Sequence, residues 1–137
     1  MYERVVAAID HSENTPRVLA AAGELVRLSG GEIWVLHVRE RAVSKFSAPD
    51  TETAQDVRQE VDAAAAELAA AGVKAHGETR HTVFGYAAQE IIASAAEHEA
   101  GVIVLGSKGR GDLAGLLLGS TAHKVIQLAD RPVLVVR

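Results

Sequence analysis

Residues 102–121 read VIVLGSKGRGDLAGLLLGST. Four apolar residues, Val102 to Leu105, run directly into Gly106, and Gly109 and Gly111 follow closely. A short apolar run without alternation is the pattern of a strand covered on both faces, so the glycine-rich segment begins where a buried strand ends. Gly119-Ser120-Thr121 then stands at the mouth of a helical pattern. Glycine lets the backbone turn sharply and leaves its amides uncovered. A helix start adds unpaired N–H donors and a partial positive charge. In this order, the strand, loop and helix start form a cradle for a phosphate or another anion.

Outward from this stretch, apolar runs alternate with helical patterns. Val5 to Ile9 reads as the first strand, and Pro16 to Leu28 as a helix with Val18, Leu19, Ala22, Leu25 and Val26 on one face. Asn14 or Thr15 is its expected cap, and Gly30-Gly31 its stop. Ile33 to Val38 is a second strand, and 39–52 a loop without periodicity. A helix is expected over 53–71, with Val57, Val61, Ala64 and Leu68 on one stripe and Gly72 as its end. Weak alternation over 73–82 suits an edge strand, on which His76, Glu78 and Arg80 would form a solvated face. Helices over 85–97 and 120–128 flank the strand Gly101 to Leu105, and Pro132 opens a last strand, Val133 to Val136. This alternation predicts a single three-layer α/β/α domain spanning 1–137, with a mostly parallel five-stranded sheet. Ligands of such sheets lie beyond the strand C-termini, where the strand order reverses.

Composition narrows the function. With 137 residues the chain is long enough for one domain with a proper core, and with 4% aromatics that core is aliphatic. A net charge of -4 argues against a nucleic-acid partner. The absence of cysteine excludes disulfides and thiolate metal sites. No apolar run approaches the roughly 20 residues of a membrane span, and Glu3 and Arg4 interrupt any signal-peptide pattern. The expectation is a soluble cytoplasmic protein with no membrane partner. The six histidines show no metal-ligand spacing, so no metal site is expected. Walker-type, dinucleotide and serine-hydrolase motifs are absent, and no catalytic residue can be named.

The spacing Gly106, two residues, Gly109, nine residues, Gly119-Ser120 resembles the signature of the universal stress protein family. The resemblance extends to Asp10 closing the first strand, His37-Val38 closing the second, and the C-terminal Pro132 to Val136. It implies strand order 3-2-1-4-5 and a homodimer, and the complete glycine motif is similar to that of the family branch that binds ATP or a related adenine nucleotide. By the same resemblance, Ala8, Ile9 and Asp10 would line the adenosine and Val38 would meet the adenine edge through its backbone. Leu105 and Gly106 would approach the ribose, and Gly109, Arg110, Gly119, Ser120 and Thr121 would hold the phosphates. The chain departs from the family at Gly85-Tyr86-Ala87-Ala88, where members often carry a proline.

The residues themselves support these roles to different degrees. Asp10 suits an Asx turn, a hydrogen bond to ribose hydroxyls, or help with a nucleotide-bound Mg²⁺; the ribose is favoured by its place at the crevice. Ser120 and Thr121 suit both capping and phosphate binding. Arg110, directly after Gly109, suits a charge-assisted phosphate contact better than Lys108 does. The last strand, Val133 to Val136, would lie at a sheet edge and pair with a second copy. The expected function is a homodimeric stress-response or signalling module that binds ATP, ADP or AMP, hydrolyses slowly at most, and acts on an unidentified protein partner. Two other readings stay open: an interaction module of the same fold with an empty pocket, and a slow ATPase.

Overall fold

The computed structural model describes residues 1–42, 52–109, 115 and 117–137. Nine elements alternate along the chain: β1 (Arg4–Ala8), α1 (Thr15–Ser29), β2 (Glu32–Arg41), α2 (Ala54–Ala70), β3 (Lys74–Val83), α3 (Ala87–Glu97), β4 (Val102–Gly106), α4 (Ser120–Leu128) and β5 (Val133–Val136). The strands form one sheet in the order β3-β2-β1-β4-β5. Every pairing is parallel. The expected fold class and strand order are therefore those observed.

Each strand in the middle of the sheet feeds two cores, because successive side chains point to opposite faces. Val5, Ala7 and Ile9 join Ile33, Val35, Val102 and Val104 under Val18, Ala22 and Val26 of α1 and Val61 and Ala64 of α2. Val6, Leu36, Ile103 and Leu105 join Ala88, Ile91 and Ala95 of α3 and Ala122 and Val125 of α4. This double coverage explains why the central strands read as unbroken apolar runs. The first two helices share one face of the sheet and the last two share the other.

Local chemistry sets the helix ends. Gly30 takes φ 72°, and its amide donates to the Val26 carbonyl, which closes α1. At the start of α2 the Thr53 hydroxyl accepts from the Asp56 amide while the Asp56 carboxylate accepts from the Thr53 amide, a complete capping box. Residues 39–41, expected in a loop, extend β2 instead and pair with residues 81–83 of β3. The rest of that loop, 43–51, lies outside the described residues. No helix among the described residues is long and apolar enough to cross a membrane.

The outer face of β3 corrects one sequence expectation. Glu78 and Arg80 are not a solvated face, because α3 packs over them. Glu78 accepts from the Ser94 hydroxyl at 2.7 Å and lies 3.0 Å from His98 Nε2, while Arg80 Nε donates to the same carboxylate at 2.8 Å. Arg80 also reaches Glu90 and Glu97 on α3. Ser94 is fully buried, so Glu78 supplies the partner its hydroxyl needs. His98 stacks on Trp34, with ring centroids 4.2 Å apart.

Burial pushes the Glu78 pKa up, but the hydrogen bonds from Ser94, Arg80 and His98 outweigh it, leaving the carboxyl below its ordinary value of 4.5. A depressed folded-state pKa gives stability that is present above the unfolded value and lost as pH falls through the folded one. Glu78→Gln is therefore expected to destabilise the domain by about 1.5–3 kcal/mol at pH 7, the scale of a hydrogen bond to a charged group. In urea titrations the gap between the parent chain and the variant should close as pH falls below 4.5.

Candidate functional site

The strand order reverses between β1 and β4, which pair in parallel. Ala8 pairs with Leu105 in register, yet β1 continues into α1 on one face and β4 leads toward α4 on the other. In open α/β sheets such a switch point leaves a crevice beyond the C-terminal ends of the two strands. Ile9 is 5% exposed and its amide donates to the Leu36 carbonyl at 2.8 Å. Asp10 follows, and its Oδ1 accepts from the Ser12 amide at 3.1 Å, so the Asx-turn reading holds. Val38 lies in β2 and is partly exposed. Leu105 is buried, and Gly106 ends β4 at the crevice floor.

Gly106 is a glycine for steric reasons. A Cβ built there would lie 2.7 Å from Asn14 Nδ2. That amide is already engaged, donating to the Val136 carbonyl at 2.8 Å. The start of α1, the end of β4 and the end of β5 thus converge on one residue that has no side chain. Sequence reasoning missed this use of Asn14, considered there only as a helix cap. Asn14 does precede α1, but its side chain forms no capping bond.

At the other wall, Gly119 is the N-cap of α4, with φ -72° and ψ 164°. Any residue can adopt that backbone, so glycine there is not explained by a left-handed conformation. The Gly119 amide donates to the Ser107 carbonyl at 2.5 Å, and the Ser107 amide donates to Val136 at 2.8 Å. These bonds lash the loop ends together and remove the Gly119 N–H from the set of available donors. The first intrahelical bond of α4 runs from the His123 amide to the Gly119 carbonyl, and no side chain caps the helix. The amides of Ser120, Thr121 and Ala122 are therefore the orphan donors of this helix start. Ser120 and Thr121 do not act as caps themselves, because they are the first and second residues of α4, one and two positions past the cap. Gly109 is partly buried, Lys108 is exposed, and Arg110 and Gly111 lie outside the described residues.

A second constellation gathers at the same end of the sheet, built by β2 and α2. His37 is 3% exposed. Its Nδ1 lies 2.7 Å from Glu60 Oε2 and its Nε2 lies 3.3 Å from Glu52 Oε2. The other Glu60 oxygen lies 3.2 Å from His11 Nδ1. Burial pushes the His37 pKa down, but the Glu60 hydrogen bond and the charges of Glu52, Glu60 and Asp10 outweigh it and hold it above 6.5. Spacing rules could not find this group, because its members come from separate elements. His11 and Glu60 also line a cavity of about 890 Å³ between α1 and α2, with Thr15, Leu19, Ala64 and Leu68. None of the residues expected to bind nucleotide lines that cavity.

The strand order and the helices on both faces define a doubly wound α/β domain. The model of the universal stress protein family matches residues 1–137, and the chain belongs to that family. Universal stress protein YxiE of Bacillus subtilis (strain 168) is 33% identical over 153 aligned residues, covering all of both chains. The universal stress protein from Archaeoglobus fulgidus, solved in complex with dAMP, is 26% identical with a TM-score of 0.70, covering 100% of this chain and 98% of that one. A universal stress protein solved in complex with cAMP is 25% identical with a TM-score of 0.67, covering 99% and 97%.

The Gly106 contact yields a double-mutant test. Gly106→Ala should cost about 1–3 kcal/mol, the usual range for overpacking. Because the clash is with one side-chain amide, Asn14→Ala should absorb part of that cost. Urea midpoints of the two single variants and the double variant should show a favourable coupling of at least about 0.5 kcal/mol.

Proposed function

We propose that this chain is an adenine-nucleotide-binding universal stress protein that works as a homodimeric signalling module. The observation that carries this reading is the start of α4. Three amides without helical or side-chain partners follow Gly119, beside the crevice where the sheet reverses. Such a terminus favours an anion through both its donors and its dipole. The relatives solved with dAMP and cAMP support an adenine nucleotide as that anion.

In this reading Ala8, Ile9 and Asp10 border the adenosine, with Asp10 toward the ribose. The Val38 backbone meets the adenine edge, and Leu105 and Gly106 floor the sugar. Gly109, Arg110, Ser120 and Thr121 hold the phosphates, while Gly119 contributes the space left by its missing side chain. The ligand is ATP, ADP or AMP, and a Mg²⁺ ion would travel with a polyphosphate tail. The groups assigned to the phosphates are amides, hydroxyls and a guanidinium. They position and stabilise charge, but none is a base poised near neutral pH, so hydrolysis should be slow.

One substitution isolates the proposed donor. Ser120 is the first residue of α4, where proline is tolerated, and the extended conformation of Gly119 suits the position before proline. Ser120→Pro should therefore leave helix content and thermal midpoint nearly unchanged while deleting one N–H and the hydroxyl, and Ser120→Ala, which keeps the N–H, separates the two contributions. Calorimetric titration with AMP and ATP should show binding weakened by about 10- to 100-fold, from a lost charge-assisted hydrogen bond of about 1.5–3 kcal/mol. A parent chain that binds none of ATP, ADP, AMP or cAMP would refute the nucleotide reading.

The dimer is proposed to form through β5, an edge strand paired only with β4. Leu134 is 38% exposed on it. In a two-fold antiparallel pairing of so short a strand, Leu134 lies close to its own symmetry mate. Leu134→Arg would set like charges together and should convert the dimer to monomer in sedimentation velocity runs, with the far-UV spectrum unchanged.

A further inference from the structure

We infer that His37, Glu52 and Glu60 form a binding site for a divalent transition cation of the zinc or manganese type, separate from the nucleotide cradle. One donor atom from each residue can be chosen so that all three lie within 4.8 Å of one another. Glu60 now lies at Nδ1 and Glu52 at Nε2 of the ring, so binding requires both carboxylates to close on one nitrogen, at the bond lengths of about 2.0–2.2 Å that zinc takes from imidazole and carboxylate.

The donor set suits the ion. One imidazole and two carboxylates match the preferences of zinc and manganese rather than those of a soft, thiolate-seeking metal. Two carboxylates carry the charge that a dication neutralises. The surroundings hold the donors in place. His37 sits in β2, buried to 3% exposure. Glu60 lies on α2, whose start is fixed by the Thr53 capping box. Glu52 immediately precedes that box, and Arg39 Nε donates to its carbonyl at 3.0 Å, tying the backbone of Glu52 to β2. His11 holds the second oxygen of Glu60 at 3.2 Å, as an outer partner orients a ligating carboxylate.

An entry path exists as well. Glu52, Glu60 and His11 line the cavity between α1 and α2, together with Asp56 and Glu67. Among the described residues its lining side chains include four carboxylates and neither lysine nor arginine, a balance that draws cations inward. The site does not use the glycine loop or the start of α4, so it stands or falls independently of nucleotide binding.

The test uses the full chain, treated with EDTA, dialysed and kept free of nucleotide. Zinc chloride is titrated by calorimetry, and cobalt(II) by its visible absorption, which reports nitrogen and oxygen coordination in a chain without cysteine. One saturable equivalent per chain is expected. Glu52→Gln and Glu60→Gln should each weaken it at least about tenfold, with helix content and urea midpoint showing that the variants fold. Absence of saturable binding would overturn the proposal. So would binding that both variants retain at parental affinity, which would place the ion at other histidines. Binding that appears only after ATP is added would assign the ion to the phosphates and equally overturn it.

Discussion

β1 is hydrogen-bonded to β2 on one side and to β4 on the other, and both of its faces are buried. That arrangement requires the chain, having built β2 and β3 outward in one direction, to return across β1 and build β4 and β5 in the other. The return moves the later helices to the opposite face. With α1 on one face and α4 on the other, the ends of β1 and β4 mark the switch point at which open sheets leave a crevice. Residues that act there need only be small enough to keep it open and polar enough to use it. Gly106 is small because Asn14 packs where its side chain would be, and Asp10 is polar and already turns the chain through its bond to the Ser12 amide.

The fold was legible because its signals are local. Val5–Val6–Ala7 and Val102 to Leu105 are apolar without alternation because α-helices cover both faces, and Gly30 and Thr53 mark helix ends through chemistry within a few residues. The failures have a common origin. Glu78 and Arg80 read as a solvated face because nothing near them in sequence shows that α3 returns to cover them. His37 reads as one of six scattered histidines, and only the packing of α2 on β2 brings Glu52 and Glu60 to its two nitrogens. Asn14 looks like a cap, yet it serves a carbonyl 122 positions away. Local periodicity reports which face of an element is buried, not which distant polar group will be its partner.

Two charge preferences sit side by side at the C-terminal end of the sheet. Among the described residues the start of α4 carries N–H groups without a partner, the proposed anion site, while the space between α1 and α2 is lined by carboxylates, the proposed cation site. They are separated by β1 and its Asp10, which lies close enough to His37 to help raise its pKa. This division keeps the carboxylates of α2 out of the proposed phosphate site, where they would repel the ligand. It also means that the acidic net charge of the chain does not oppose anion binding locally, since backbone dipoles rather than side chains supply the attraction.

The C-terminal strand joins these elements to the edge of the sheet. Val136 accepts hydrogen bonds from both Asn14, which abuts Gly106, and Ser107, whose own carbonyl holds the Gly119 amide. One carbonyl at the end of β5 therefore fixes the floor and, through one further bond, the cap of α4. A ligand that shifts Gly106 or Gly119 must strain or re-form these bonds, and a second copy pairing along β5 would stiffen the strand that carries them. Linkage makes any such effect reciprocal: if pairing alters nucleotide affinity, nucleotide alters pairing by the same factor. The carbonyl of Val136 is thus a hydrogen-bonded route by which the proposed dimer edge and the proposed nucleotide site can act on each other.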